Sequence, residues 1–130
     1  MQNIYLLNIE RVLNESEAGK AGRKQLEERL AEARQQYASR SEQAKHASGP
    51  AQSALAEQLK AFEHEQMTKL AEEKEKLRSE LLAAARQATM ELKEELGFEW
   101  VLDSQYVILG PEAQDLTERL IERLNEKSSG

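Results

Sequence analysis

The sequence contains no cysteine and only two prolines, and aromatic residues make up 5% of its 130 positions. Without cysteine there is no disulfide framework, no thiol nucleophile and no thiolate metal cluster. Charged residues reach 32% of the chain and the mean hydropathy is -0.75. Such a chain cannot fill a thick globular core; long helices carrying thin apolar stripes suit it better. Long apolar runs are missing too. The longest are Leu81-Leu82-Ala83-Ala84-Ala85 and Tyr106 to Leu109, far short of the roughly 20 residues that a membrane-spanning helix needs, so no stable membrane insertion is expected. A net charge of -6 argues against a general nucleic-acid binder, which needs a basic face. There is no glycine-rich phosphate cradle and no serine-nucleophile motif.

What the chain does have is a charged helical run over residues 16–96, interrupted once at Ser48-Gly49-Pro50. Asn8 can cap a turn beginning at Ile9, and Asn14 or Ser16 supplies a second helix start. Gly19 and Gly22 each weaken a helix by about 1 kcal/mol relative to alanine, so the helix bends there or packs closely on something. From Leu26 the steps of four and three through Leu30, Ala33, Tyr37, Arg40, Ala44 and Ala47 form a heptad seam, leaky at Arg40. Gly49 can take a left-handed cap, and Pro50 suits the first turn of the next helix. That helix follows Leu55, Leu59, Phe62, Gln66, Leu70, Glu73, Leu77, Leu81, Ala84, Ala88 and Leu92, an eleven-residue repeat of ~3.67 residues per turn. Gly97 ends it. Tyr37 and Phe62 fall level in an antiparallel pair and are expected to pack on each other.

Short apolar segments flank this run. Ile4 to Leu7 reads as a strand. Phe98, Trp100 and Leu102 alternate with Glu99, Val101 and Asp103 as a half-buried strand. Asp103-Ser104-Gln105 reads as a tight turn, Tyr106 to Leu109 as a third strand, and Gly110-Pro111 as its end. A last amphipathic helix carries Leu116, Leu120, Ile121 and Leu124 on one side. Strands so far apart in sequence pair only if the helical run folds back on itself. The expected fold is therefore α+β: a long antiparallel helical hairpin, residues 16–96 with its tip near 48–50, on a small sheet body, residues 1–15 and 97–127, plus the C-terminal helix. A body that small buries little surface alone. With neither cysteine nor a metal cluster as a staple, it is expected to be a homo-oligomer assembled through Tyr5, Leu7, Trp100, Leu102, Tyr106 and Ile108.

Candidate sites are few. His46 and His64 lie in opposite arms and out of level, so no metal pair is expected. Consecutive carboxylates such as Glu72-Glu73 and Glu94-Glu95 diverge by about 100° around a helix and do not converge on a substrate, so no acid–base site and no enzyme is read here. No cofactor is implied. Beside the seam of the second helix runs a soft flank that includes Met67, Ala71, Leu82 and Ala85. Methionine outside a seam suits promiscuous binding, because its side chain adapts to varied surfaces; a widened packing stripe is the structural alternative.

Arg11-Val12-Leu13-Asn14-Glu15-Ser16-Glu17-Ala18-Gly19-Lys20, just after an apolar strand, resembles the opening of the Skp/OmpH-like periplasmic chaperones. Gly97-Phe98-Glu99-Trp100-Val101-Leu102-Asp103 is similar to that family's strand after the long helix, and Asp115-Leu116-Thr117-Glu118-Arg119-Leu120 to its closing helix. The resemblance implies a homotrimer whose pooled sheets form a barrel body, with three helical tentacles around a cavity. It also implies an ATP-independent holdase that keeps unfolded outer-membrane proteins from aggregating in the periplasm. Met1-Gln2-Asn3 runs straight into the first strand without the basic region and the apolar stretch of about 7–15 residues that mark a secretory leader, so the periplasmic location is implied by the resemblance alone. The competing expectation is an oligomeric coiled-coil scaffold for one specific protein partner.

Overall fold

The computed structural model describes residues 4–109 and 114–129. Strand β1 (Ile4–Leu7) leads into helix α1 (Ile9–Glu15), followed by α2 (Glu17–Lys45), α3 (Pro50–Leu96), strand β2 (Trp100–Asp103), a single 3-10 turn (Ser104–Tyr106) and α4 (Thr117–Ser129). By its internal contacts the chain divides into two compact units, one of residues 1–22 with 77–130 and one of residues 23–76.

Local chemistry sets the boundaries of these elements. Asn8 caps α1, its side-chain oxygen accepting from the Arg11 N–H at 3.1 Å. Ser16 separates α1 from α2, its hydroxyl accepting from the Gly19 N–H at 3.1 Å. Gly19 is required there: a Cβ at this position would lie 1.8 Å from the carbonyl oxygen of Leu13. The early glycine of α2 is therefore a close-packing device. Gly49, at φ +66°, turns the chain between α2 and α3, in a left-handed conformation that costs a residue with a Cβ more. The Gly97 N–H donates to the Lys93 carbonyl at 2.8 Å, closing α3.

In the first unit β1 and β2 pair in parallel, Ile4 beside Trp100, Tyr5 beside Val101, Leu6 beside Leu102 and Leu7 beside Asp103. Parallel strands need a long crossover, and the helices between β1 and β2 supply it. The strand β1 is further held by the Leu116 N–H, which donates to the Leu6 carbonyl at 2.7 Å. One face of the pair turns inward. Leu7 joins Val12, Ala85, Ala88, Leu92, Phe98, Leu116, Leu120, Ile121 and Leu124 in the core, with Tyr5, Ile9 and Val101 packed at its border. The Tyr5 and Phe98 rings meet at 5.0 Å between centroids. Thr117, fully buried, is satisfied by donating to Asp115 at 2.6 Å and accepting from the Asn8 N–H at 2.9 Å. Ion pairs clasp α4 from outside: Arg123 to Glu91 and Glu95, Lys127 to Glu91, and Arg11 to Glu118.

Several expectations need correction. Tyr106 to Leu109 is not a strand: Tyr106 ends the 3-10 turn, and Val107 to Leu109 lie outside regular structure. The Asp103 side chain accepts from the Gln105 N–H at 3.1 Å, which curls the chain off the β2 direction before a third strand can form. The Gly110-Pro111 break lies outside the described residues. Within the chain, the inward face of β2 is that of Val101 and Asp103, while Trp100 and Leu102 face out. The seam of α3 also departs from the expected repeat at one position, with Ala84 exposed and Ala85 buried in its place, while Ala88 and Leu92 are buried as expected. There Ala85, Ala88 and Leu92 of α3 pack into the core that α4 shares. The first unit takes in α3 from Leu77 onward.

Candidate functional site

The second unit is a hairpin of two antiparallel helical segments, and it buries very little. Phe62 is its one buried apolar side chain among the described residues, at 7% exposure. Leu26, Leu55, Leu59 and Leu70 are half-buried. Two helices cover only their facing stripes, so seam residues at the margin stay open. Leu30, Ala33, Tyr37, Phe62, Met67 and Leu70 line a groove of about 380 Å3, with Arg34 and Glu63 beside them. Met67 is the most open of these at 64% exposure. Opposite charges at its border leave the groove without a net sign.

Polar bridges hold the base of the hairpin. Glu73 accepts from the Gln25 side chain at 2.7 Å and pairs with Arg29 at 3.2 Å. Lys69 pairs with Glu65 at 2.9 Å, and this hydrogen bond holds the Glu65 carboxyl below the usual glutamate range. Arg40, the charged break in the heptad seam, lies with its guanidinium carbon 4.0 Å from the Phe62 ring centroid. The break is thus covered by a cation–π contact. It also alters the expected rivet. Tyr37 and Phe62 border the same groove, but Arg40 lies over the Phe62 ring, and the one ring–ring contact among the described residues is Tyr5 with Phe98.

The residues of the soft flank separate. Met67, Ala71 and Leu82 are exposed, Met67 and Ala71 in the hairpin unit and Leu82 in the body unit. Ala85 is 2% exposed and belongs to the core; no partner can touch it while the body is folded, which removes it from the candidate contact set. Leu30 and Tyr37, read from sequence only as seam, are as open as Leu82. Their position at the margin of a two-helix seam is the signal that could have singled them out.

In the body unit, Ile4, Trp100 and Leu102 lie together on the outward face of the strand pair at 42%, 63% and 44% exposure. Tyr106, Ile108 and Leu109 follow at 82%, 103% and 92%. Of the expected interface residues, Leu7 is buried in the chain's own core and Tyr5 is half-buried against Phe98. Both sit on the inward face, Leu7 closed off in the core and Tyr5 partly open. Ile4 and Leu109 extend the outward apolar surface beyond the residues named from sequence. Among the described residues, no cluster of His, Asp or Glu could hold a metal ion, and no helix is long and apolar enough to cross a membrane. His46, in the turn just after α2, contacts Glu42 of that helix at 3.0 Å.

Two long helices, a small parallel strand pair and a closing helix define a class of α+β hairpin proteins with an open apolar groove. A family model for outer membrane protein (OmpH-like) matches residues 3–124, and the chain belongs to that family. A crystal structure from Caulobacter crescentus CB15, described as a candidate outer membrane chaperone (OmpH-like), is similar at a TM-score of 0.66 and 15% identity, over 98% of this chain and 86% of that one. At that identity the likeness speaks for the fold. No curated protein matches this chain.

Proposed function

We propose that this chain is an ATP-independent holdase chaperone that binds unfolded outer-membrane proteins in the periplasm and acts as a homotrimer. The observation that carries the reading is the open groove of the hairpin unit, with Leu30, Tyr37 and Met67 at 37%, 37% and 64% exposure. An apolar surface with a flexible methionine and no net charge at its border takes many apolar segments weakly and none exclusively. Membership of the OmpH-like family and the chaperone description of the Caulobacter protein support the same role. In this reading the hairpin, residues 16–96, holds the client, with Met67 and Ala71 among its contacts and Leu82 as a further exposed apolar contact. The body, residues 1–15 and 97–127, joins the subunits.

The outward apolar surface of the body supports self-association. Six large side chains in one unit, Ile4, Trp100, Leu102, Tyr106, Ile108 and Leu109, are open to solvent, more exposed apolar surface than a short body needs unless it meets a partner. In a closed trimer the neighbouring copies would cover it through head-to-tail contacts.

Light scattering of an unfolded β-barrel membrane protein, diluted from urea with and without this protein and without nucleotide, tests the function. Suppressed scattering at a stoichiometric ratio of trimer to client is expected. Unchanged scattering would overturn the chaperone reading and leave the single-partner scaffold as the better account.

A further inference from the structure

Arg40 stands where the heptad seam calls for an apolar residue, and its guanidinium sits in contact with the Phe62 ring. A leucine or methionine there would cover Phe62 without bringing a charge to the seam. What the arginine adds is a planar fork of N–H donors on an aromatic platform, which Lys cannot reproduce. Among the described residues no carboxylate lies within ion-pair distance of it. Glu65, which lies near enough to feel its charge, is occupied by Lys69 at 2.9 Å. The polar groove that runs past Phe62, about 500 Å3 in volume, is bordered by Arg40, Gln36, Gln58, Glu65 and Lys69. Glu65 and Lys69 cancel, leaving one positive charge in a groove with three amide side chains, Gln36, Gln58 and Gln66; those of Gln36 and Gln58 have no partner among the described residues.

We propose that Arg40, seated on Phe62 between Gln36 and Gln58, is a binding site for carboxylate groups of a partner polypeptide. The guanidinium fork matches the two oxygens of a carboxylate, and the glutamine amides can donate to the same group or to a neighbouring main-chain carbonyl. The identification of that polypeptide as an unfolded client rests on the chaperone reading; the carboxylate site itself does not.

The probe is a short unstructured peptide of alternating Glu and Ser, compared with its Gln and Ser counterpart, titrated into the full chain at low salt and followed by the amide NMR signals of Gln36, Gln58 and Phe62. The Glu peptide is expected to shift these signals and the Gln peptide to leave them in place. Arg40→Met keeps an apolar cover on Phe62, so the hairpin should melt no lower than in the parent. It should weaken the Glu peptide about fivefold, the upper range for a solvent-exposed ion pair. Arg40→Lys should recover only part of the loss. Raising the salt to about 1 M, where the Debye length falls to about 3 Å, should weaken the parent in the same way. Equal affinity of the parent and Arg40→Met for the Glu peptide would overturn the site. So would saturation of the same signals by inorganic phosphate at lower concentration than the peptide, which would make it a phosphate site. Loss of aggregation suppression has no bearing on this titration, so the site and the chaperone reading fail separately.

Discussion

Replacing Gly19 with alanine should destabilise the protein even though alanine is the better helix former. In an unconstrained helix the change gains about 1 kcal/mol. Here the new Cβ would lie 1.8 Å from the Leu13 carbonyl oxygen and 2.8 Å from the Leu13 carbonyl carbon. Both are backbone atoms, so no side-chain rotation relieves the clash; α2 must move away from the end of α1. Overpacking of this kind costs about 1–3 kcal/mol. The movement also pulls the Gly19 N–H from the Ser16 hydroxyl, now 3.1 Å away, a cap worth about 1 kcal/mol. The sum is a net loss of about 1–3 kcal/mol, or a fall in Tm of roughly 3–10 °C for a chain of this size. Gly22→Ala is the internal control. Its Cβ would meet only the Leu77 Cδ1 atom at 3.9 Å, an ordinary contact, so that variant should gain up to about 1 kcal/mol from propensity alone. Circular dichroism melts at 222 nm and one fixed protomer concentration read both. A Gly19→Ala variant as stable as Gly22→Ala would refute the account of the α1–α2 junction.

Three further outcomes follow from the same structure. Leu120→Ala empties a fully buried position under α4 and should cost about 2–5 kcal/mol in urea unfolding, whereas Leu109→Ala, on the open surface, should change monomer stability by less than about 0.5 kcal/mol. Hydrogen bonding from Lys127, and then from Arg123, holds the Glu91 carboxyl below its ordinary value of 4.5; a depressed carboxylate contributes stability above that value and loses it as the pH falls through the lower folded one. Glu91→Gln should therefore narrow its stability gap to the parent as the pH drops below 4.5, read from urea midpoints across the acid range. Trp100→Glu with Ile108→Ser puts charge and polarity on the outward body surface and should shift sedimentation from oligomer to monomer while the helical circular dichroism signal persists; an unchanged sedimentation coefficient would remove that surface from the interface.

The helix boundaries were legible because they depend on chemistry within a few residues. Asn8, Ser16, Gly49-Pro50 and Gly97 each act on backbone groups one turn away, and a sequence displays that directly. The third strand was not legible because a strand is made by its neighbour. Tyr106 to Leu109 has the composition of a strand, but the Asp103 hydrogen bond redirects the chain before any ladder can continue. The displacement from Ala84 to Ala85 was hidden for a related reason: α3 faces α2 along one stretch and the α4 core along another, and a repeat extrapolated from the first placed Ala88 and Leu92 but not every position of the second. Arg40 read as a leak because a heptad pattern records what faces inward and not what an aromatic ring can accept on its face. Of the candidate contacts, Met67 and Leu82 were visible as large apolar residues one step off the seam, whereas the role of Ala85 depended on a phase that only packing fixes.

The parallel pairing of Ile4–Leu7 with Trp100–Asp103 also sets an order of assembly. The strand made first has its ladder partner near the far end of the chain, and closing so long a loop is slow compared with forming contacts between helices that are neighbours in sequence. A chain emerging from its N-terminus can zip the hairpin from the turn at Gly49 while β1 still waits, unpaired and apolar. The body is then finished last, when Leu116 reaches the Leu6 carbonyl. Until that moment the protein carries an exposed strand of its own, and during its own biogenesis it presents the kind of segment it is proposed to shelter in others.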